Sequence, residues 1–147
     1  GWLPPAQAAE LAACYQIPVG PDGEGGTQVR ACIVQAPVFG PLVRFGPGGT
    51  AAEALGGESA RLAPLSRADA DALISESAAA PLLGEGTDTA ALAGLLLRLS
   101  RLADDLPEVA ELELSPLIAG PAGARAAAIK VRLSPADRPD PFLRRLR

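Results

Sequence analysis

The chain contains no histidine and no methionine, one lysine (Lys130) and five aromatic residues, Trp2, Tyr15, Phe39, Phe45 and Phe142. Each shortage excludes something. Without histidine, the two cysteines, Cys14 and Cys32, have no imidazole partner, and their spacing is not that of metal ligands. They read as a buried pair of free thiols in a cytoplasmic protein. So few rings leave an aliphatic core and no stacking platform for nucleobases. No apolar run is long enough to span a membrane, and no signal peptide is evident. A chain without methionine lacks a start residue, so Gly1 reads as a cut end and the sequence as a piece of a longer protein.

What is present is aliphatic. Of 147 residues, 48% are hydrophobic, mostly Ala and Leu. A domain of this size buries roughly 68–70% of its unfolded surface, enough for one real core. The net charge is −4, which argues against nucleic acid as a partner. The basic cluster of Arg144, Arg145 and Arg147 is short and terminal, as in a solvated tail.

Residues 4–15 carry helix formers behind Pro4 and Pro5, which suit a first turn. Ile17 to Val19 reads as a short strand, and 20–26, GPDGEGG, as a linker. Thr27 to Gln35 predicts a buried strand with Val29, Ala31 and Ile33 on one face. Ala60 to Leu65 predicts another. Ser66 caps the next helix, with Asp69 closing a near capping box. Leu92, Leu95, Leu96, Leu99, Leu102 and Leu106 recur at helical spacing across 87–106, and such a stripe is a core face. Val109 to Ala119 and Ala124 to Leu133 form a hairpin about a turn at Gly120–Gly123. A symmetric turn sets Ser115 opposite Ala128, and Glu113 opposite Lys130.

The stretch Gln35–Gly49, QAPVFGPLVRFGPGG, organises the rest. A turn at Ala36-Pro37 leads to an apolar strand, Leu42 to Phe45. Gly46, Gly48 and Gly49 then open a helical run from Thr50 to Leu55. Two readings fit this layout. One is a phosphate-binding turn, since glycine lets the backbone approach an anion. The other is a plain strand-to-helix bend.

The wording of this stretch resembles the D-P-x-F-G-P-x-x-x-x-G-x-G-G signature of the ATP-grasp domain in NDP-forming acyl-CoA synthetases. That domain also occurs fused to actinobacterial GNAT-type protein lysine acetyltransferases. The opening WLPPAQAAELAACYQIPVGP resembles the domain's first helix and its G-I-P-V. Arg61, Pro64 and Leu65 match R-x-x-P-L, and ELELSPL resembles E-L-D-I-N-P-L. The last residues, from Asp137, resemble the D-P-x-L-R-R-L-R end of the fusion proteins.

The resemblance implies an α/β fold, the C-terminal part of an ATP-grasp module with a mixed or antiparallel sheet. In the family a whole lobe lies where this chain has the linker 20–26. Residues 1–19 are then an N-terminal helix and strand, 27–133 the C-lobe-like domain, and 134–147 a Pro/Arg-rich tail. The family uses Mg-ATP and CoA. Its metal is held by the Asn of E-L-D-I-N-P-L and an acid on the returning strand. Those positions are Ser115 and Ala128 here, and Gln28 and Ala36 replace two further carboxylates. Glu113 is left as the strong oxygen ligand, with Ser115 beside it as a vestigial magnesium ligand and Lys130 as Glu113's expected partner. No cofactor is expected for this chain. The resemblance implies a regulatory, scaffolding or oligomerising module whose partners are the CoA-binding and GNAT domains of its parent. The alternative is the nucleotide-binding C-lobe of an active ligase.

Overall fold

The structure, a computed structural model, describes residues 1–20, 26–48 and 57–134. Helix α1 spans Pro5–Cys14 with Pro5 at its first position, where the missing N–H costs nothing. It buries Ala8 and Ala12. Strands β1 (Thr27–Ala36) and β2 (Gly40–Pro47) form a hairpin. Its turn holds Val38 at φ 78° and Gly40 at φ 97°. β3 (Ser59–Leu62) adds to β2. Helix α2 (Arg67–Glu76) starts at Ser66 with the full capping box: each of Ser66 and Asp69 accepts from the other's backbone N–H.

Helix α3 (Thr89–Asp105) is capped by Asp88, which accepts from the Ala91 N–H. Its leucine stripe is the core face expected from the spacing: Leu92, Leu95, Leu96, Leu99 and Leu102 are essentially inaccessible. Burying each is worth about 1.5–3 kcal/mol. β4 (Val109–Gly120), β5 (Gly123–Ala126) and β6 (Ile129–Leu133) follow.

All the strand pairs are antiparallel, in the order β3-β2-β1-β4, with β5 on the second half of β4 and β6 on its first. β1 and β4 are therefore central. The return of the last hairpin is split between β5 and β6 at Ala127 and Ala128, where the sequence reads as one strand. Ile17–Val19 contributes a single bridge, Val19 to Ala126, not a strand.

The free side of β6 is taken by the first residues of the chain. Leu3 donates to the Val131 carbonyl at 2.8 Å, and Leu133 donates to the Gly1 carbonyl at 3.0 Å. Cys32 is buried but Cys14 is exposed, so the two thiols are not a buried pair. Cys14 ends α1 on its outer side, whereas Ala8 and Ala12 take the inner one. The expected helix from Thr50 to Leu55 lies outside the described residues. No helix among the described residues is long and apolar enough to cross a membrane.

Candidate functional site: the charged face of the sheet

Alternation along the strands gives the sheet two unlike faces. One supplies Val29, Ala31, Ile33, Val43, Phe45, Leu112 and Leu114 to the core beneath the helices. Cys32 and Ile118 are buried but stand apart from that cluster, on the other face. There the side chains lie in rows across the strands. Arg44, Cys32, Glu113 and Lys130 make one row. Leu42, Val34, Glu111 and Arg132 make a second. Gly46 and Arg30 are partners in a third. Beside Arg30 the ladder to β4 shifts register, and on β4 Ser115 donates its N–H to the Ala128 carbonyl at 3.3 Å.

Arg30 is the hub. Its Nε donates to Glu113 Oε1 at 2.6 Å, and its Nη1 to Glu58 Oε2 at 3.2 Å. Burial works against its charge, but the Glu113 hydrogen bond and the surrounding negative groups outweigh it and raise the pKa. A separate pair joins Arg132 to Glu111 at 3.0 Å. Cys32 lies in a depression of about 160 Å³ walled by Arg30, Arg44, Glu111, Glu113 and Trp2. Burial pushes its thiol up to about 11, against the opposing pull of Arg30 and Arg44.

The residues singled out from the sequence fall into two places. Glu113, Ser115 and Ala128 meet as the hairpin register predicts. Gln28 is on the same strand as Arg30, two residues further along. Ala36 is elsewhere: it pairs with Gly40 at the opposite end of β1, roughly 26 Å from Gln28 at the usual rise per residue. Gly46 lies inside β2 opposite Arg30, so its backbone is part of the ladder. Gly48 donates its N–H to the Gln28 carbonyl at 3.1 Å, and a Cβ there would stand 3.0 Å from that backbone. This glycine permits a close strand approach and has no amide left for an anion. Gly49 is outside the described residues.

Glu113 does not pair with Lys130, although the two are cross-strand partners. Arg30 takes it instead, from the strand on the other side of β4. Arg30, Glu58 and Arg44 were not singled out from the sequence. The available signal was an arginine inside an otherwise buried strand, TQVRACIVQA, which requires an acidic partner.

Magnesium requires several oxygen ligands in an octahedral array, usually with carboxylates. Ala128 offers no side-chain oxygen, Glu113 is engaged by a guanidinium, and Lys130 adds a positive charge alongside. Among the described residues no group of three or more acids or cysteines could hold a metal ion. The described residues of this face therefore do not fit a divalent cation.

A sequence model of the ATP-grasp domain matches residues 6–133. The chain belongs to the ATP-grasp family. Within the family it is similar to the domains of NDP-forming acetyl-CoA synthetases. It is 39% identical over 99 residues to acetate–CoA ligase (ADP-forming) I of Archaeoglobus fulgidus, covering 64% of this chain and 14% of that protein. It is 30% identical over 128 residues to the beta subunit of acetate–CoA ligase (ADP-forming) II of Pyrococcus furiosus, covering 83% of this chain and 54% of that subunit.

Among solved structures, the ATP-grasp fold here superposes on dinucleotide-forming acetyl-coenzyme A synthetase 1 of Ca. Korarchaeum cryptofilum, solved with coenzyme A and Mg-AMPPCP. The TM-score is 0.72 at 34% identity, over 76% of this chain and 55% of that one. PH1788 from Pyrococcus horikoshii gives the same TM-score, 0.72, at 31% identity, over 78% of this chain and 52% of that one. The ATP-grasp domain thus spans about half the length of these chains, and far less of the longer ligase.

Proposed function

We propose that this ATP-grasp domain is a degenerate, non-catalytic acyl-CoA synthetase-like module. Its role is regulatory, scaffolding or oligomerising within a larger, cytoplasmic GNAT-type protein lysine acetyltransferase. The observation that carries the reading is the pairing of Glu113 with Arg30 where the family holds its metal, beside Ala128, with the hydrophobic frame intact. A guanidinium in that position satisfies the one strong oxygen ligand internally. The C-terminal resemblance to the acetyltransferase fusions supports the choice of parent, whose CoA-binding and GNAT domains would be the module's partners.

A second reading has support in the relatives, which are CoA ligases over the matched region. In it, the chain is the nucleotide-binding C-lobe of an active NDP-forming ligase and works with Mg-ATP and CoA.

Thermal unfolding with Mg-ATP separates the two. Occupancy at 100 times Kd adds about 2.7 kcal/mol to stability. The first reading expects no shift at millimolar Mg-ATP. It also expects a Mg²⁺-dependent shift to appear when ligands are restored by Arg30→Leu, Ser115→Asn and Ala128→Asp together. A clear Mg-ATP shift in the natural chain overturns it in favour of the ligase.

A further inference from the structure

An open groove of about 500 Å³ runs between α1, the end of α3, the start of β4 and the end of β6. Four leucines from these separate elements meet in it: Leu3, Leu11, Leu106 and Leu133. Each packs against the core on one side and is only partly buried, so apolar surface is left open in one place. Contiguous apolar surface of this kind marks a site that something else covers. Glu10 and Glu108 stand exposed on the groove, and neither is in an ion pair among the described residues. The described residues that line it include no lysine or arginine. Its occupant should therefore be apolar with flanking positive charge.

The chain itself supplies such a segment, and it starts at the groove. Leu133 lines the groove, and the next residue, Ser134, donates its N–H to the Glu108 carbonyl at 2.9 Å. Thirteen residues follow in the sequence, 135–147, and they lie outside the described ones. They carry Phe142, Leu143 and Leu146, with four arginines, Arg138, Arg144, Arg145 and Arg147, against two aspartates, Asp137 and Asp140. The spacing of Phe142, Leu143 and Leu146 is that of one side of a helical turn, which leaves the arginines to its flanks. Reach is ample. Phe142 is eight residues beyond Ser134, which extended chain spans in about 26–29 Å, whereas the ten residues of α1 are about 15 Å long.

We propose that residues 135–147 turn back into this groove of their own chain, with Phe142, Leu143 and Leu146 against the four leucines and the flanking arginines beside Glu10 and Glu108. The apolar contacts hold the segment, and the charges set its placement, because exposed ion pairs contribute little alone. The tail is then a cover for the edge of the fold and not the solvated end expected from its arginines. A second copy of the chain carries the same groove and the same tail, so an exchange of tails between two copies is the competing arrangement.

The test is nuclear magnetic resonance on the full 147-residue chain. Nuclear Overhauser contacts between the Phe142 ring and the methyl groups of Leu3, Leu11, Leu106 and Leu133 are the expected result, and they should persist on dilution. No such contact overturns the proposal in favour of a solvated tail. Contacts found only between labelled and unlabelled copies in a mixed sample overturn it in favour of exchanged tails. Trypsin gives a second readout, since cutting at Arg144 and Arg145 follows the population of the open tail. Phe142→Ser combined with Leu143→Ser should speed that cutting about tenfold or more, the worth of one buried apolar side chain. The described core residues all precede Ser134, so this variant keeps the fold. Glu10→Gln with Glu108→Gln should speed it about two- to fivefold, as exposed ion pairs allow. Unchanged cutting in the serine variant overturns the docking, and unchanged cutting in the glutamine variant overturns the placement of the arginines.

Discussion

Glu58 occupies the space that a side chain at position 46 would fill: a Cβ on Gly46 would stand 2.7 Å from the Glu58 Cγ and 3.1 Å from its Cα. The glycine lets Glu58 lie across β2 and reach Arg30 on β1. Gly46→Ala should therefore force the two segments apart, and overpacking of this kind costs about 1–3 kcal/mol. Urea unfolding would read the loss as a lower midpoint. Adding Glu58→Ala should cost less than the sum of the two single changes, because the Arg30 contact is already broken.

The two thiols should differ sharply. Cys14 is exposed and should react with a thiol reagent in the native protein, whereas Cys32 should react only after unfolding. Timed modification with and without urea counts each class. The same thiol sets a pH dependence. The folded state holds the Cys32 proton to about 11, while the unfolded chain releases it near 9. Stability present below about pH 9 should decline as pH rises from about 9 to 11, and Cys32→Ala should remove that slope.

On the acid side the relevant group is Asp69. The backbone N–H of Ser66, followed by its hydroxyl, holds this carboxyl below the usual aspartate range. Its contribution is complete above the unfolded pKa and is lost as pH falls through the lower folded value. Asp69→Asn should flatten the acid limb of stability against pH, measured as urea midpoints. A limb of unchanged steepness would mean that other carboxylates dominate it.

Helix α3 carries the heaviest packing. Leu99→Ala should cost about 2–5 kcal/mol, since a fully buried leucine leaves a cavity as well as losing its transfer energy. Thermal or urea unfolding would register it directly. A loss below about 1 kcal/mol would show that the layer between helix and sheet collapses to fill the gap.

The local codes were readable from the chain alone. The leucine stripe, the Ser66–Asp69 box and the Glu113–Lys130 register each depend on residues close in sequence or related by one symmetric turn. What escaped depends on neighbours brought in from afar. The cation for Glu113 comes from a strand 83 residues away, and β1 slips its register against β4 between Val29 and Ala31. No periodicity encodes that pairing. Gly46 and Gly48 look like a bend in a linear reading, because glycine and proline punctuate chains. Their positions in the ladder, and against Gln28, follow from the sheet as a whole. Gln28 and Ala36 read as parts of one altered site, yet an extended strand separates them by most of its length.

The first twenty residues form two clasps as well as a helix. Gly1 and Leu3 bind the outer rim of β6, and Pro18 and Gly20 exchange hydrogen bonds with Ala126 at the end of β5. One flank of the sheet is thereby hemmed by the same segment at both ends of α1. A sheet flank left bare is a template for another chain. Trimming this segment would therefore change how the molecules behave towards one another in concentrated solution, not only how firmly each one is folded.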